Sequence, residues 1–162
     1  MKLGRKPKLT VHQRQEAIKR RDVDGEPIRD IARSYNVHNS TIFTTDAAKP
    51  PATYSQAVRA GGLIFVSGTA PNDPQTGQLV GSTIQEQTRQ CLKNIAAILQ
   101  AAGSSLDKIA SVTVILADED DFQGMNEEWL KWFPSNPPAR QGAKLPIHPQ
   151  GMKISIAVIA EA

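Results

Sequence analysis

Two apolar runs and the long amphipathic segment between them constrain the fold of this chain most. Residues 63–70 read LIFVSGTA and residues 109–117 read IASVTVILA, and both have the continuous apolar composition of buried strands. Between them, apolar or small residues recur at helical spacing over residues 84–102, with Ser82 and Gln85 as the expected capping box. The sequence therefore predicts a strand, a long helix and a second strand.

A second helix and two further strands are predicted after residue 117. The acidic run DEDD at residues 118–121 is typical of a helix N-terminus, where the helix dipole favours carboxylates, so we interpret it as structural rather than as a metal site. Residues 139–145 and 153–160 have the composition of strands. The helix after the acidic run is expected to pack through one face, formed by Phe122, Met125, Trp129, Trp132 and Phe133.

This order of elements predicts an α+β domain with one mixed sheet and two helices on one face of that sheet. Because both helices are expected on the same side, the opposite face of the sheet keeps an apolar surface that must be covered. The sequence thus predicts self-association.

Positive charge is concentrated in the first segment of the chain. Residues 1–42 hold ten Lys and Arg against five Asp and Glu, and residues 43–162 hold nine against eleven. Such asymmetry favours an acidic partner such as nucleic acid, with a solvated basic tail as the alternative. A chain of 162 residues can bury one good core and add a small appendage. We therefore expect a basic helical appendage over residues 1–39 and the main domain over residues 40–162.

Several classes of protein are not indicated. The sequence has no run of about 18 apolar residues and no secretory signal, so we expect a cytoplasmic protein without a membrane span. A single cysteine, Cys91, cannot form an internal disulfide, and the three histidines lack the spacing of a zinc site. Neither a metal nor another cofactor is expected.

Two short helices joined by a turn are predicted in the basic segment. Residues 11–21 follow Thr10, which suits an N-cap, and residues 28–35 resume the helical pattern after the breaker DGEP. The stretch GRKPKLTVHQRQEAIKRRDVDGEPIRDIARSYNVHNSTI resembles the helix-turn-helix of resolvase and invertase recombinases. That resemblance implies phosphate contacts by a basic arm in the minor groove, formed by Arg5, Lys6 and Lys8.

The residues after Ser40 could form either a third, DNA-reading helix or the first strand of the main domain. Four of them, Thr41, Ile42, Thr44 and Thr45, are β-branched, and Pro50 prevents a helix from continuing. Residues 40–48 also lack Arg, Lys, Asn and Gln, the side chains that pair with base edges. We therefore predict a strand at about residues 40–45, and at most weak, sequence-independent DNA binding.

Four stretches of the main domain resemble the reactive-intermediate deaminase family, also called Rid or YjgF. They are YSQAVRAGGLIFVSGTAPNDPQTGQLV, EQTRQCLKNIAAILQAAGSSLDKIASVTVILAD, DDFQGMNEEWLKWFPSNPPAR and ISIAVIA, within residues 41–162. The resemblance implies a homotrimer of a chorismate-mutase-like fold, with sheets around a central barrel and ligand clefts between neighbouring subunits. It also implies hydrolysis of imino and enamine acids such as 2-aminoacrylate to 2-keto acids and ammonia.

The same resemblance implies the residues of a site for a small carboxylate or imino acid. Arg140 of the motif PAR is the expected catalytic residue, because a guanidinium can hold a carboxylate through two parallel bonds. A surface ion pair is the alternative role for this side chain. The expected substrate-binding residues are Tyr54, Ser67, Gly68, Asn126, Arg140 and Gly142.

One departure from the family pattern puts turnover in question. Family members carry a glutamate that positions the attacking water on the last strand, in a stretch like EIEAIA, where this chain reads SIAVIA with Ala157 at that position. We therefore expect deaminase activity that is reduced or altered. The alternatives are a small-carboxylate-binding or regulatory protein without turnover, and a nucleic-acid-binding protein or ribonuclease.

Overall fold

A computed structural model describes residues 9–26, 31, 34–35, 41–146 and 149–162. The chain divides into two compact units, residues 1–40 and residues 41–162.

The first unit contains helix α1, Val11–Asp22. Thr10 Oγ1 accepts a hydrogen bond from the Gln13 amide at 3.2 Å, and Gln13 Oε1 accepts one from the Thr10 amide at 2.8 Å. These two bonds form a capping box and confirm the predicted N-cap.

Only part of the second predicted helix lies within the described residues. Ile31 and Ser34 are helical, and the amide of Tyr35 donates to the carbonyl of Ile31 at 3.3 Å. The remainder of residues 28–35 lies outside the described residues. So does the predicted basic arm with Arg5, Lys6 and Lys8.

The second unit begins with a strand, at the residues for which the sequence allowed either a strand or a third helix. Strand β1, Thr41–Ile42, pairs antiparallel with strand β2, Ala57–Ala60. The strand prediction is therefore confirmed, although the strand is shorter than expected. It ends early because the amide of Thr44 donates to the Gln56 side chain at 2.7 Å instead of to a neighbouring strand.

The remaining elements follow the predicted order, with one additional strand. They are β3 (Leu63–Thr69), α2 (Ile84–Ala101), β4 (Ile109–Leu116), α3 (Phe122–Trp132), β5 (Ala139–Lys144) and β6 (Ile154–Glu161). The sheet order is β1-β2-β3-β6-β4-β5, and β4 and β5 form the parallel pair. The α+β prediction of a mixed sheet with two helices is confirmed.

Strand β2 was not predicted. It pairs with β3 across a two-residue turn, Gly61 and Gly62, whose φ angles are +58° and +78°. Both angles lie in the left-handed region that glycine adopts without a steric cost, as hairpin turns of this length require.

Two sequence predictions for the helices were wrong in detail. The capping box of α2 is formed by Thr83 and Glu86, one residue after the predicted pair, because the helix begins at Ile84 and the cap precedes its first residue. Phe122 is 53% exposed and is not part of the packed face of α3. It is the first residue of that helix, where the chain leaves the acidic 3-10 turn Glu119–Asp121.

The core lies between the helices and one face of the sheet. Along β6, and along β4 from Val112 onward, every second residue is buried. The core residues of these strands and of the helices include Val112, Val114, Ile154, Ile156, Val158, Leu92, Ile95, Ile98, Leu99, Met125 and Trp129. None of the helices in the described ranges is long and apolar enough to cross a membrane.

The opposite face of the sheet carries apolar side chains that no helix covers. Val58 and Phe65 are paired across β2 and β3, and each is 38% exposed. Phe65 is paired in turn with Ile159 of β6, and Ile159 with Ser111 of β4. The predicted apolar face is therefore present in the protomer.

Glu128 joins the two helices through a buried carboxylate. Its side chain is 2% exposed and accepts two bonds from the Arg89 guanidinium, both at 2.8 Å. Lys131 and the Trp132 indole also donate to it, at 2.9 and 3.3 Å. The Arg89 hydrogen bonds are the main cause that lowers the pKa of Glu128 from 4.5 to about 2.

We expect Glu128→Gln to lower the free energy of unfolding by about 2 kcal/mol at pH 7, because it removes charged hydrogen bonds from a buried group. The folded pKa lies below the unfolded value, so this stabilisation is complete above about pH 5 and is lost as the pH falls toward 2. Urea unfolding of both proteins over that pH range measures the difference. The exposed neighbour offers the control Glu127→Gln, and an equal loss in both variants would contradict the prediction.

Candidate functional site

Arg140 lies on the edge strand β5 and is held by helix α3. It is opposite Val112 of β4, a buried residue of the helix-covered face. Its guanidinium carbon is 4.9 Å from the centre of the Trp129 ring, a cation–π contact. Nη2 donates to Asn126 Oδ1 at 2.5 Å and Nη1 contacts Met125 Sδ at 3.4 Å. One turn of α3 therefore fixes the position of the guanidinium.

The guanidinium borders a cavity of about 420 Å³. Partial burial lowers the pKa of Arg140, but a guanidinium stays protonated at any working pH. Among the described residues, Arg140 forms no ion pair with a carboxylate, so the alternative role of a surface ion pair is not observed there. The cavity is lined by Asn126, Trp129, Leu130, Pro137, Pro138 and Arg140.

Tyr54, Ser67 and Gly68 border a different cavity, of about 440 Å³. Ser67 and Gly68 form a bulge in β3, because the pairing with β6 shifts between Val66 and Thr69. The Ser67 hydroxyl donates to the carbonyl of Ser55 at 2.8 Å and holds the bulge against the preceding loop. The bulge exposes backbone at the wall of this cavity.

A single protomer does not bring all the predicted site residues together. Strands β6 and β4 separate β3, which carries Ser67 and Gly68, from β5, which carries Arg140, and three strand spacings are about 14 Å. Asn126 lies beside Arg140 and accepts a hydrogen bond from its guanidinium, so its expected role in substrate binding stays a prediction beside a structural role. Gly142 of β5 is exposed and pairs with Val114 of β4. It lines neither cavity.

Gln56 organises the second cavity and was missed by the sequence analysis. Its side chain is 3% exposed, accepts from the Thr44 amide at 2.7 Å, and donates to the carbonyls of Thr44 and Ala48 at 3.1 and 3.0 Å. It thereby holds the chain segment that forms the rim. A glutamine between two small residues carries no signal of this role in a single sequence.

The comparisons with known proteins identify the family. The model of the family described as Endoribonuclease L-PSP matches residues 44–162. The chain belongs to this family, the Rid or YjgF family. The matched residues begin after the basic segment, so the resolvase-like helix-turn-helix stays a prediction.

This chain matches most of the length of its relatives in the Rid family. The RutC family protein PH0854 of Pyrococcus horikoshii is 46% identical over 119 residues, which are 74% of this chain and 94% of that protein. The human 2-iminobutanoate/2-iminopropanoate deaminase is 40% identical over 119 residues, 74% and 87% of the two chains. The crystal structure of E. coli TdcF with bound serine has a TM-score of 0.70 at 34% identity and covers 75% and 98%.

The stretch that corresponds to the Rid-family glutamate lies on strand β6. Both glutamates of the stretch EIEAIA have counterparts in SIAVIA, the first at Ser155 and the second at Ala157. Ala157 lies opposite the bulge, between the Val66 and Thr69 pairings of β6. Ser155 lines the cavity of Tyr54, and a Cβ added to Gly68 would lie 3.1 Å from its hydroxyl. Ser155 is therefore a second position at which this chain lacks a carboxylate, and the assignment to Ala157 stays a prediction.

In the described residues, no three His, Cys, Asp or Glu side chains form a group that could hold a metal ion. The acidic residues 118–121 instead cap and extend the start of α3, since Asp118 accepts from the amide of Asp120 at 3.1 Å.

Proposed function

We propose that this chain hydrolyses imino and enamine acids such as 2-aminoacrylate to 2-keto acids and ammonia, more slowly than relatives that carry the glutamate. The observation that carries the proposal is Arg140, a guanidinium without a carboxylate partner among the described residues, held by α3 at a cavity. The similarity to the human 2-iminobutanoate/2-iminopropanoate deaminase supports the reaction class.

The reaction needs an anchor for the carboxylate and a polar group for the water. An enamine first gains a proton at C3 and loses one from nitrogen, which gives the imine. Water then adds across the C2–N double bond, so that its oxygen bonds to C2 and one of its protons passes to nitrogen. The proton of the new hydroxyl then passes to nitrogen as well, the C2–N bond breaks, ammonia leaves and the keto group remains. In the proposed site Arg140 binds the carboxylate through parallel charge-assisted bonds and orients C2. The hydroxyl of Ser155 can hold a water, but it is a much weaker base than a carboxylate.

We expect Arg140→Ala to weaken binding of 2-oxobutanoate, a stable 2-keto acid product, by about 1.5–3 kcal/mol, the range for hydrogen bonds to charged groups. Isothermal calorimetry measures the dissociation constant. Arg140→Lys keeps the charge but loses the planar fork, so it should fall between the native chain and Arg140→Ala. Unchanged affinity in a normally folded Arg140→Ala variant would remove Arg140 from the site.

Slow turnover is proposed because residues 155 and 157 both lack a carboxylate. A carboxylate placed at either position is expected to raise the rate of 2-aminoacrylate hydrolysis by about 10²-fold, a modest effect for a positioned acid or base. The rise should be larger in Ser155→Glu than in Ala157→Glu, because Ser155 lines the cavity. Steady-state rates of both variants test this. Native turnover equal to that of glutamate-bearing relatives would contradict the proposed deficit.

We also propose that the chain forms a homotrimer whose sites are shared between neighbours. The uncovered apolar sheet face and the separation of Arg140 from Tyr54 within one protomer both support it. In such an assembly the Arg140 cavity of one subunit adjoins the Tyr54 cavity of the next. A trimer of this 17.6 kDa chain has a mass of about 53 kDa.

Mixing two defective variants tests the shared site. Arg140→Ala and Tyr54→Ala subunits are each expected to bind 2-oxobutanoate poorly as homotrimers. After dissociation and reassembly from equal amounts, about one quarter of the sites combine two intact halves in a cyclic trimer. Calorimetry of the mixture should report that fraction of tight sites. No recovery in assembled mixed trimers, or a monomer in sedimentation, would overturn the shared site.

Binding without turnover is the second candidate function, and the missing carboxylates at residues 155 and 157 favour it. The family description names an endoribonuclease, but the described residues that line the two cavities include no His, Asp or Glu to act as acid or base. Weak DNA binding by the basic arm stays a prediction.

A further inference from the structure

The cavity of Tyr54 and Ser155 carries a single charge among the described residues that line it, the ammonium of Lys49. The other lining side chains are neutral. Among the lining residues that the structure describes, Lys49 therefore makes the only full-charge contribution to the electrostatic potential of this cavity.

The backbone on which Lys49 stands is fixed from both sides. Before it, the Gln56 amide donates to the carbonyl of Ala48 at 3.0 Å. After it, Pro50 and Pro51 restrict the chain, and the amide of Tyr54 donates to the Pro51 carbonyl at 3.5 Å. The flexible four-carbon stem of Lys49, an exposed side chain, thus extends from a constrained backbone at the wall of the cavity.

No carboxylate of the protein neutralises this ammonium within the part of the chain that the structure describes. Lys131, Lys144 and Lys153 each form an ion pair with an acidic side chain, whereas Lys49 forms none there. Asp46, three residues earlier, is exposed and bonds to the Thr44 hydroxyl at 3.3 Å. Lys49 is therefore available to an anion of a ligand.

We infer that Lys49 binds a second anionic group of the ligand, and that the preferred substrates are imino acids with a carboxylate at the far end of the side chain. The inference rests on the proposed function and on the proposed shared site, in which Arg140 of a neighbouring subunit holds the carboxylate next to the imine. The hydroxyls of Tyr54 and Ser155 can bond to neutral or charged oxygen alike, so Lys49 alone distinguishes a charged side chain from a neutral one.

A matched pair of five-carbon keto acids tests the inference. 2-Oxoglutarate carries the second carboxylate and 2-oxopentanoate lacks it. The native protein is expected to bind 2-oxoglutarate about fivefold more tightly at low salt, the upper range for an exposed ion pair. The preference should shrink as the ionic strength rises. Calorimetry gives both dissociation constants.

Three variants complete the test. Lys49→Met should abolish the preference, measured in each variant as the ratio of the two dissociation constants, and Lys49→Arg should keep it. Lys93→Met removes an exposed lysine of α2 that does not line the cavity, so it should behave as the native chain does. Thermal unfolding checks that all variants fold.

Equal affinities of the native protein for the two acids would overturn the inference. So would a preference that persists in Lys49→Met or disappears in Lys93→Met. Turnover of imino acids is measured separately: a native chain with the preference but no turnover contradicts only the deaminase proposal. A chain with turnover but no preference contradicts only the role of Lys49.

Discussion

Strand β6 is the element on which the rest of the main domain depends. It lies between β3 and β4, and its residues alternate strictly between the two faces of the sheet. Ile154, Ile156 and Val158 are at most 2% exposed beneath the helices, whereas Ser155 and Ala157 lie on the opposite face. A shift of one residue in its pairing would exchange these faces and expose the core. The same register that secures the core therefore fixes the positions where a water-orienting side chain could stand.

The core and the candidate site share helix α3. One face of that helix buries Met125, Trp129 and Glu128, and Glu128 is bonded to Arg89 of α2. Trp129 of this face and the neighbouring Asn126 hold the guanidinium of Arg140. Because the buried carboxylate of Glu128 joins α3 to Arg89 of α2, the proposed anchor for a carboxylate rests on a rigid element rather than on a loop. Stability and binding geometry are coupled through this helix.

The two cavities differ in the way they are built. Arg140 stands on regular structure, whereas Lys49 follows a segment held by the buried amide of Gln56, which donates to the carbonyls of Thr44 and Ala48. Only a few hydrogen bonds hold this segment, but losing one costs free energy because a buried donor or acceptor is then left without a partner. The part of the cavity that is expected to distinguish substrates therefore depends on a single polar side chain.

The sequence by itself determined the elements whose cause is local. The apolar runs of β3, β4 and β6, the amphipathic pattern of α2 and the β-branched residues at Thr41 and Ile42 all specify their structures through neighbouring residues. The motif PAR pointed to Arg140 before its surroundings were known. Tertiary structure alone decided which residues Arg140 contacts, that Gln56 holds the rim, and that Ser155 rather than a more distant residue borders the cavity. It also separated Arg140 on β5 from Ser67 and Gly68 on β3 by three strand spacings. These facts depend on strand order and register, which arise from contacts between residues far apart in sequence, and no local pattern encodes such contacts.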